Sequence, residues 1–186
     1  MNAQSAPPLP LALLLVDLQP SFLQVIPEGQ SILRRAQFAA ETAKILGISV
    51  AITEQVPEKL GPTANELTES APEAPVFSKT AFSALGADGL IQWLKDRNVQ
   101  HLLIAGIETP VCIYQTAVQA MAESFDVTLL TDAIGERRIG DRDPAMNTLR
   151  HAGAHMLPSE TVFYSILGDA QHPQFKAYTQ LVKQFG

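Results

Sequence analysis

Six short apolar runs constrain this chain more than any other feature of its sequence. They fall at residues 11–16, 48–53, 75–78, 101–105, 126–130 and 154–157, most of them rich in β-branched or leucine side chains. A strand with one face in water alternates apolar and polar residues. A near-continuous apolar run belongs instead to a strand covered on both faces, as in a parallel sheet. Between the runs lie segments of helical period. Ile32, Ala36, Ala39, Ala40, Ala43 and Leu46 form one stripe, which stops at Gly47, a residue suited to a left-handed helix end. Leu85, Leu90, Ile91 and Leu94 form a second stripe, and Val111, Tyr114, Ala117, Val118 and Met121 a third. Alternating strands and helices predict an α/β fold: three layers, a doubly wound six-stranded parallel sheet, helices on both faces. In the strand order 3-2-1-4-5-6, strands one and four flank the switch point where such sheets bind ligands. The 186 residues suit one domain over 11–186. Residues 1–10, with three prolines and no Lys or Arg, are expected to be a flexible lead-in.

Composition narrows the function. Thirteen Lys and Arg against nineteen Asp and Glu leave a net charge of −6, and aromatic residues make up only 6%. Neither a basic patch nor a stacking platform for nucleic acid is available in such a chain. The apolar run at 11–16 ends at Asp17, too short to cross a membrane, and no positively charged start precedes it as in a secretory signal. Cys112 is the only cysteine, so neither an intrachain disulfide nor a cysteine-rich zinc module can form. A free thiol fits a reducing compartment, and the reading is cytoplasmic.

Three residues stand where chemistry is done. Cys112 follows the fourth run in Gly106-Ile107-Glu108-Thr109-Pro110-Val111-Cys112. Thr109 can cap a helix and Pro110 suits its first position, which puts Cys112 in the first turn, where the helix dipole favours a thiolate. A lone cysteine is otherwise a small buried hydrophobe. Asp17 ends the first run, either aimed into a cleft or capping the turn at 18–21. Lys79 ends the third, either in the same cleft or as a solvated charge. Together a carboxylate, an ammonium and a thiol at the carboxyl ends of strands one, three and four can perform nucleophilic acyl transfer: the carboxylate takes the thiol proton, the lysine steadies the charges and the helix-start N–H groups hold the oxyanion. The long segment 54–74, with Pro57, Gly61, Pro62 and Pro72, leaves the second strand toward the same edge and is expected to carry a short helix at 63–69.

Leu15-Val16-Asp17-Leu18-Gln19, Phe77-Ser78-Lys79 and the Gly106–Cys112 segment resemble the three signature segments of the isochorismatase-like cysteine hydrolases, which include nicotinamidases and carbamoylsarcosine amidohydrolases. Thr53-Glu54-Gln55, Leu60-Gly61-Pro62-Thr63, Gly168-Asp169-Ala170 and His172-Pro173-Gln174-Phe175-Lys176 are similar to the small isochorismatase-domain proteins of that superfamily. The resemblance implies a catalytic triad of Asp17, Lys79 and Cys112, with Lys79 lowering the thiol's pKa. It implies a cis peptide at Ile107–Glu108 and an oxyanion hole made by the backbone N–H groups of Glu108 and Cys112. It implies a small-molecule substrate, hydrolysis of an amide or related acyl compound through a thioester, and a homo-oligomer. A non-hydrolytic thiol reaction, or a scaffold that keeps the fold, are the alternatives.

Two departures matter. Nicotinamidases carry an Asp-x-His metal motif after the second strand, where this chain has Glu54-Gln55-Val56, so no metal and no cofactor is expected. Vinyl-ether-cleaving isochorismatases lack the cysteine that is present here. Gln19, Phe22 and Gln55 are expected to line the substrate pocket. Arg137, Arg138 and Arg142 either reach an anionic substrate or pair with Asp141 and Asp143. The stripe Phe175, Tyr178, Leu181, Val182 and Phe185 faces either a partner subunit or the chain's own core.

Overall fold

The computed structural model describes residues 10–186. The expected lead-in at 1–10 lies outside that range except for Pro10. In chain order the elements are β1 (Leu11–Val16), α1 (Pro20–Leu23), α2 (Gly29–Leu46), β2 (Ser49–Gln55), α3 (Pro57–Leu60), α4 (Asn65–Ser70), β3 (Val76–Lys79), α5 (Leu90–Asp96), β4 (His101–Ile107), α6 (Tyr114–Ala122), β5 (Asp126–Gly135), α7 (Arg142–His151), β6 (His155–Leu157), α8 (Ser159–Leu167) and α9 (Phe175–Phe185). All six strands are parallel, in the order β3-β2-β1-β4-β5-β6. The six apolar runs are these six strands. β5 runs on to Gly135, past the expected end, and its register against β4 shifts between Ile104 and Gly106.

The pleat explains why the runs are apolar throughout. Leu13 and Leu15 of β1 point to one face and pack with Leu33, Ala36 and Ala40 of α2 and with Phe163 of α8. Ala12, Leu14 and Val16 point to the other and pack with Leu90 and Leu94 of α5, Ala117 of α6 and Leu149 of α7. Both faces are sealed, so no polar residue is tolerated until the strand ends. α2 stops at Gly47, whose φ of 69° satisfies the last carbonyls by N–H bonds to Ala43 and Lys44.

The C-terminal stripe belongs to the core of its own chain. Tyr178 is fully buried, and Tyr178 and Phe185 both meet Phe38 of α2, at centroid distances of 5.9 and 6.1 Å. This face is therefore not open to a partner. Register then places the site. Val16 pairs with both Thr53 and Gly106, and Gln55 pairs with Lys79. The chain leaves β1, β2, β3 and β4 at one level, and the residues that follow face a shared crevice. Gly106 is required for this closeness: with φ at 141°, a Cβ there would lie 2.2 Å from the Val16 carbonyl oxygen.

Candidate active site

At the end of β1 the chain turns out of the strand at Asp17, which adopts a left-handed φ of 56°, a conformation that aspartate tolerates better than most residues. The turn carries the carboxylate sideways over β2. There Oδ1 accepts the Thr53 hydroxyl at 2.9 Å and Oδ2 accepts Lys79 Nζ at 2.7 Å. Lys79 also donates to Gln55 Oε1 at 2.6 Å and to the carbonyls of Ala81 and Phe82 at 3.1 and 3.2 Å. Every proton of the ammonium is engaged. The Lys79 side chain has no exposure and that of Asp17 has 1%, so the solvated reading of Lys79 does not hold. Burial pushes the Asp17 carboxyl above its ordinary value, and the Lys79 ammonium, with its hydrogen bond, offsets part of that rise.

Cys112 follows β4 on a turn that differs from the expected one. Residues Thr109–Ile113 form a single π-helical turn, and the α-helix begins only at Tyr114. Ile113 N–H donates to the Glu108 carbonyl, five residues back, at 3.1 Å. Thr109 does not cap it. Thr116 fastens the turn from behind, donating to the Cys112 carbonyl at 2.6 Å and accepting the Ala84 N–H at 2.8 Å. The Ile107–Glu108 peptide is cis.

The thiol is buried and directed at the Asp17 carboxylate. Burial first, then the negative charge of Asp17, push its pKa up to about 12; Lys79 and the Glu108 N–H only partly oppose them. Lys79 does lower the thiol's pKa, as expected, but burial and the Asp17 charge outweigh it. Lys79 is paired with Asp17. The resting group is a thiol with an acceptor in place.

Asp17, Cys112 and the Gln55 side chain open into a cavity of about 110 Å³ whose remaining walls are Phe22, Phe82, Ile107, Glu108, Val111 and Arg137. Of the three expected pocket residues, Phe22 and Gln55 line it and Gln19 does not. The Gln19 amide is fully buried and consumed by backbone: Oε1 accepts Gln55 N–H at 2.8 Å, and Nε2 donates to the carbonyls of Gln55 at 3.1 Å and Gly61 at 2.6 Å. It fastens the segment after β2 to the end of β1. Glu54, buried beneath the same segment, accepts the Thr63 N–H at 2.7 Å.

The three arginines separate. Only Arg138 makes an expected pair, with Asp141 at 3.2 Å. Arg142 lies 3.6 Å from Glu136 and donates to the Thr131 carbonyl at 2.7 Å. Arg137 pairs through Nε with Glu108 and reaches the cavity wall. Phe82, Thr53, Thr116 and the side chain of Glu108 carry no expectation from the sequence. Only Glu108 had a signal, its place four residues before the cysteine. Among the described residues, no cluster of three or more His, Cys, Asp or Glu side chains is placed to hold a metal.

The chain is a doubly wound α/β protein with its cavity at the switch point between β1 and β4. The comparisons with known proteins agree. Residues 11–161 match the isochorismatase domain. Isochorismatase domain-containing protein 2 of Bos taurus is 36% identical over 173 residues, covering 92% of this chain and 82% of the relative. Among solved structures, the MAR1 ribonuclease of Caenorhabditis elegans superposes with a TM-score of 0.88 at 31% identity, covering 97% of this chain and 93% of that one. Two YcaC proteins superpose with a TM-score of 0.81. That of Pseudomonas aeruginosa, solved with hexane-2,5-diol and covalent acrylamide, is 26% identical over 95% of this chain and 94% of that one. The Escherichia coli protein, described as an octameric hydrolase of unknown specificity, is 25% identical over 94% and 93%. The chain belongs to the isochorismatase family.

Proposed function

We propose that the protein hydrolyses a small amide or related acyl compound through a thioester on Cys112, with Asp17 as general base and Lys79 as the cation that keeps it ionised. The observation that carries this reading is the sealed Asp17–Lys79 pair beneath the one cysteine of the chain. An ion pair buried this completely costs more in desolvation than it returns, so stability is a poor reason for it. A base held ready for a thiol is a better one.

Cys112 Sγ attacks the carbonyl carbon as its proton passes to Asp17. The backbone N–H groups of Glu108 and Cys112 receive the oxyanion. Asp17 returns the proton to the leaving nitrogen, the C–N bond breaks, and the acyl group remains on sulfur. Asp17 then takes a proton from water, which attacks the thioester. The acid leaves, and the proton held by Asp17 restores the thiol. The raised pKa of the Asp17 carboxyl suits this work, because a stronger base lies closer to the thiol it must deprotonate.

The cavity's size supports a small substrate. About 110 Å³ is well below the ~300–1,000 Å³ of pockets for drug-sized ligands. With a net charge of −6 it argues against polynucleotide, despite the ribonuclease name of the Caenorhabditis protein. The Pseudomonas structure holds covalent acrylamide, an electrophile to which nucleophiles add at the alkene, which supports a reactive nucleophile in that relative rather than amide cleavage. The octameric Escherichia coli relative supports assembly into a homo-oligomer. No helix among the described residues is long and apolar enough to cross a membrane. A cytoplasmic location remains part of the proposal, and a lone thiol suits a reducing compartment.

The test is a panel of small primary amides, followed by ammonia release, with wild type and Cys112→Ala. Turnover by wild type that Cys112→Ala abolishes supports the reading. Equal turnover by both proteins overturns it.

A further inference from the structure

We infer that Thr53 is a positioning residue for the reaction: its hydroxyl holds the Asp17 carboxylate in the plane that faces the Cys112 thiol. This inference rests on the hydrolase reading and adds a residue to its machinery.

Thr53 lies near the end of β2, fully buried, directly after the buried apolar residues Ala51 and Ile52. A valine would fill the same space, and β-branched apolar side chains suit such a strand. The hydroxyl therefore needs a reason other than packing. It has one hydrogen to give, and Asp17 Oδ1 accepts it at 2.9 Å. The Thr53 carbonyl also accepts the Asp17 backbone N–H at 3.1 Å, so one residue grips both the main chain and the side chain of the base. Register sets this up. Val16 pairs with Thr53, Asp17 is the first residue past the strand, and its left-handed turn brings the carboxylate over β2.

Lys79 cannot do this alone. Its ammonium meets Oδ2, and a carboxylate held by one oxygen still turns about its Cβ–Cγ bond, a torsion with broad minima. A second donor on the other oxygen stops the rotation. The carboxylate keeps lone pairs for a further donor, and the Cys112 thiol stands there. Thr53 is not part of the cavity wall, so it acts through Asp17 and not on substrate. Lys79 and Cys112 are the titratable groups that face Asp17; Glu108 and Arg137, farther along the cavity, pair with each other. Donation by Thr53 to the charged form also keeps the carboxyl more acidic than burial alone would leave it.

The experiment compares Thr53→Val, which keeps the shape and removes the hydroxyl, with Thr53→Ser, which keeps the hydroxyl. The first readout needs no substrate: carbon-13 NMR titration of the Asp17 carboxyl, identified by its loss in Asp17→Asn. The second is kcat, KM and the pH dependence of kcat/KM with acetamide, propionamide and butyramide as probes. Thr53→Val should move the Asp17 titration and the acidic limb of kcat/KM to higher pH by ~1 unit, because a lost donor disfavours the ionised base. Its kcat should fall at least ~10-fold, the size of a hydrogen bond to a charged group, with KM unchanged. Thr53→Ser should restore both. If Thr53→Val does not fold, Thr53→Ala carries the comparison with Thr53→Ser. A valine variant whose titration, acidic limb and kcat all match wild type overturns this inference and leaves the hydrolase reading standing. Equal losses in the valine and serine variants with the titration unmoved assign Thr53 to packing and also overturn it. A titration that moves in Thr53→Val and returns in Thr53→Ser, with none of the three amides turned over by wild type, keeps the hold on Asp17 and overturns the hydrolysis of small amides.

Discussion

Lys79 Nζ lies 2.7 Å from Asp17 Oδ2, across the width of β2, with both side chains closed to solvent. Neither charge has a second partner of opposite sign within bonding distance, so each is tolerated only because of the other. Removing one leaves the other buried and uncompensated, which costs ~3–5 kcal/mol. Lys79→Met is therefore expected to lose that much stability in urea denaturation, although it preserves most of the side-chain volume. Asp17→Asn combined with Lys79→Met should regain most of the loss, because two neutral groups no longer need pairing. A Lys79→Met protein as stable as wild type contradicts the buried pair.

The pKa of Cys112 makes a prediction in the alkaline range. Burial and the Asp17 charge raise it from an ordinary 9.0 to about 12. An acid whose pKa is raised by folding holds its proton more tightly in the native state. The stabilisation is whole below pH 9, and it is lost as pH rises from there through about 12. Wild type should therefore lose stability relative to Cys112→Ala across that window, read from denaturation midpoints at fixed pH. At pH 7 iodoacetamide should label the native thiol more slowly than the unfolded one. Faster labelling of the native protein would show a thiolate at rest.

Gln19→Ala tests the fastening of the segment after β2. The substitution strips partners from the Gln55 N–H and from the carbonyls of Gln55 and Gly61. Each buried backbone group left unpaired costs ~1–3 kcal/mol, less where water reaches it. Amide hydrogen exchange across residues 55–64 should accelerate by at least tenfold, while the amides of β4 keep their protection. Unchanged exchange in that segment means that Gln19 holds nothing in place.

The fold was legible because both faces of the sheet are covered. Ala12 to Val16 must all be apolar, and an unbroken run of that length and kind marks a strand sealed between two layers of helices. The convergence of Asp17, Lys79 and Cys112 was legible for the same reason, since a polar residue at a strand's end marks where burial stops. What each group does there was not legible. Whether Lys79 meets solvent or Asp17 depends on the carbonyls of Ala81 and Phe82, which have no sequence signature. The π-helical turn at Thr109–Ile113 defeats the usual sign of a capped helix, since Thr109 and Pro110 stand where an ordinary start would place them. Gln19 looks like a pocket residue by position, but its amide is turned into the backbone. The pairing of Arg137 with Glu108, in place of Asp141 or Asp143, has no sequence signature.

The central claim is that an acyl group passes through sulfur. Cys112 is the only cysteine, so a thioester in this chain has one possible address. The direct measurement is intact-protein mass spectrometry after acid quenching during steady-state turnover of an amide substrate, followed by peptide mapping. The expected result is an added acyl mass on the peptide containing Cys112, removed by neutral hydroxylamine. Continuing turnover with no acyl mass on that peptide, and with Cys112→Ala still active, would contradict it.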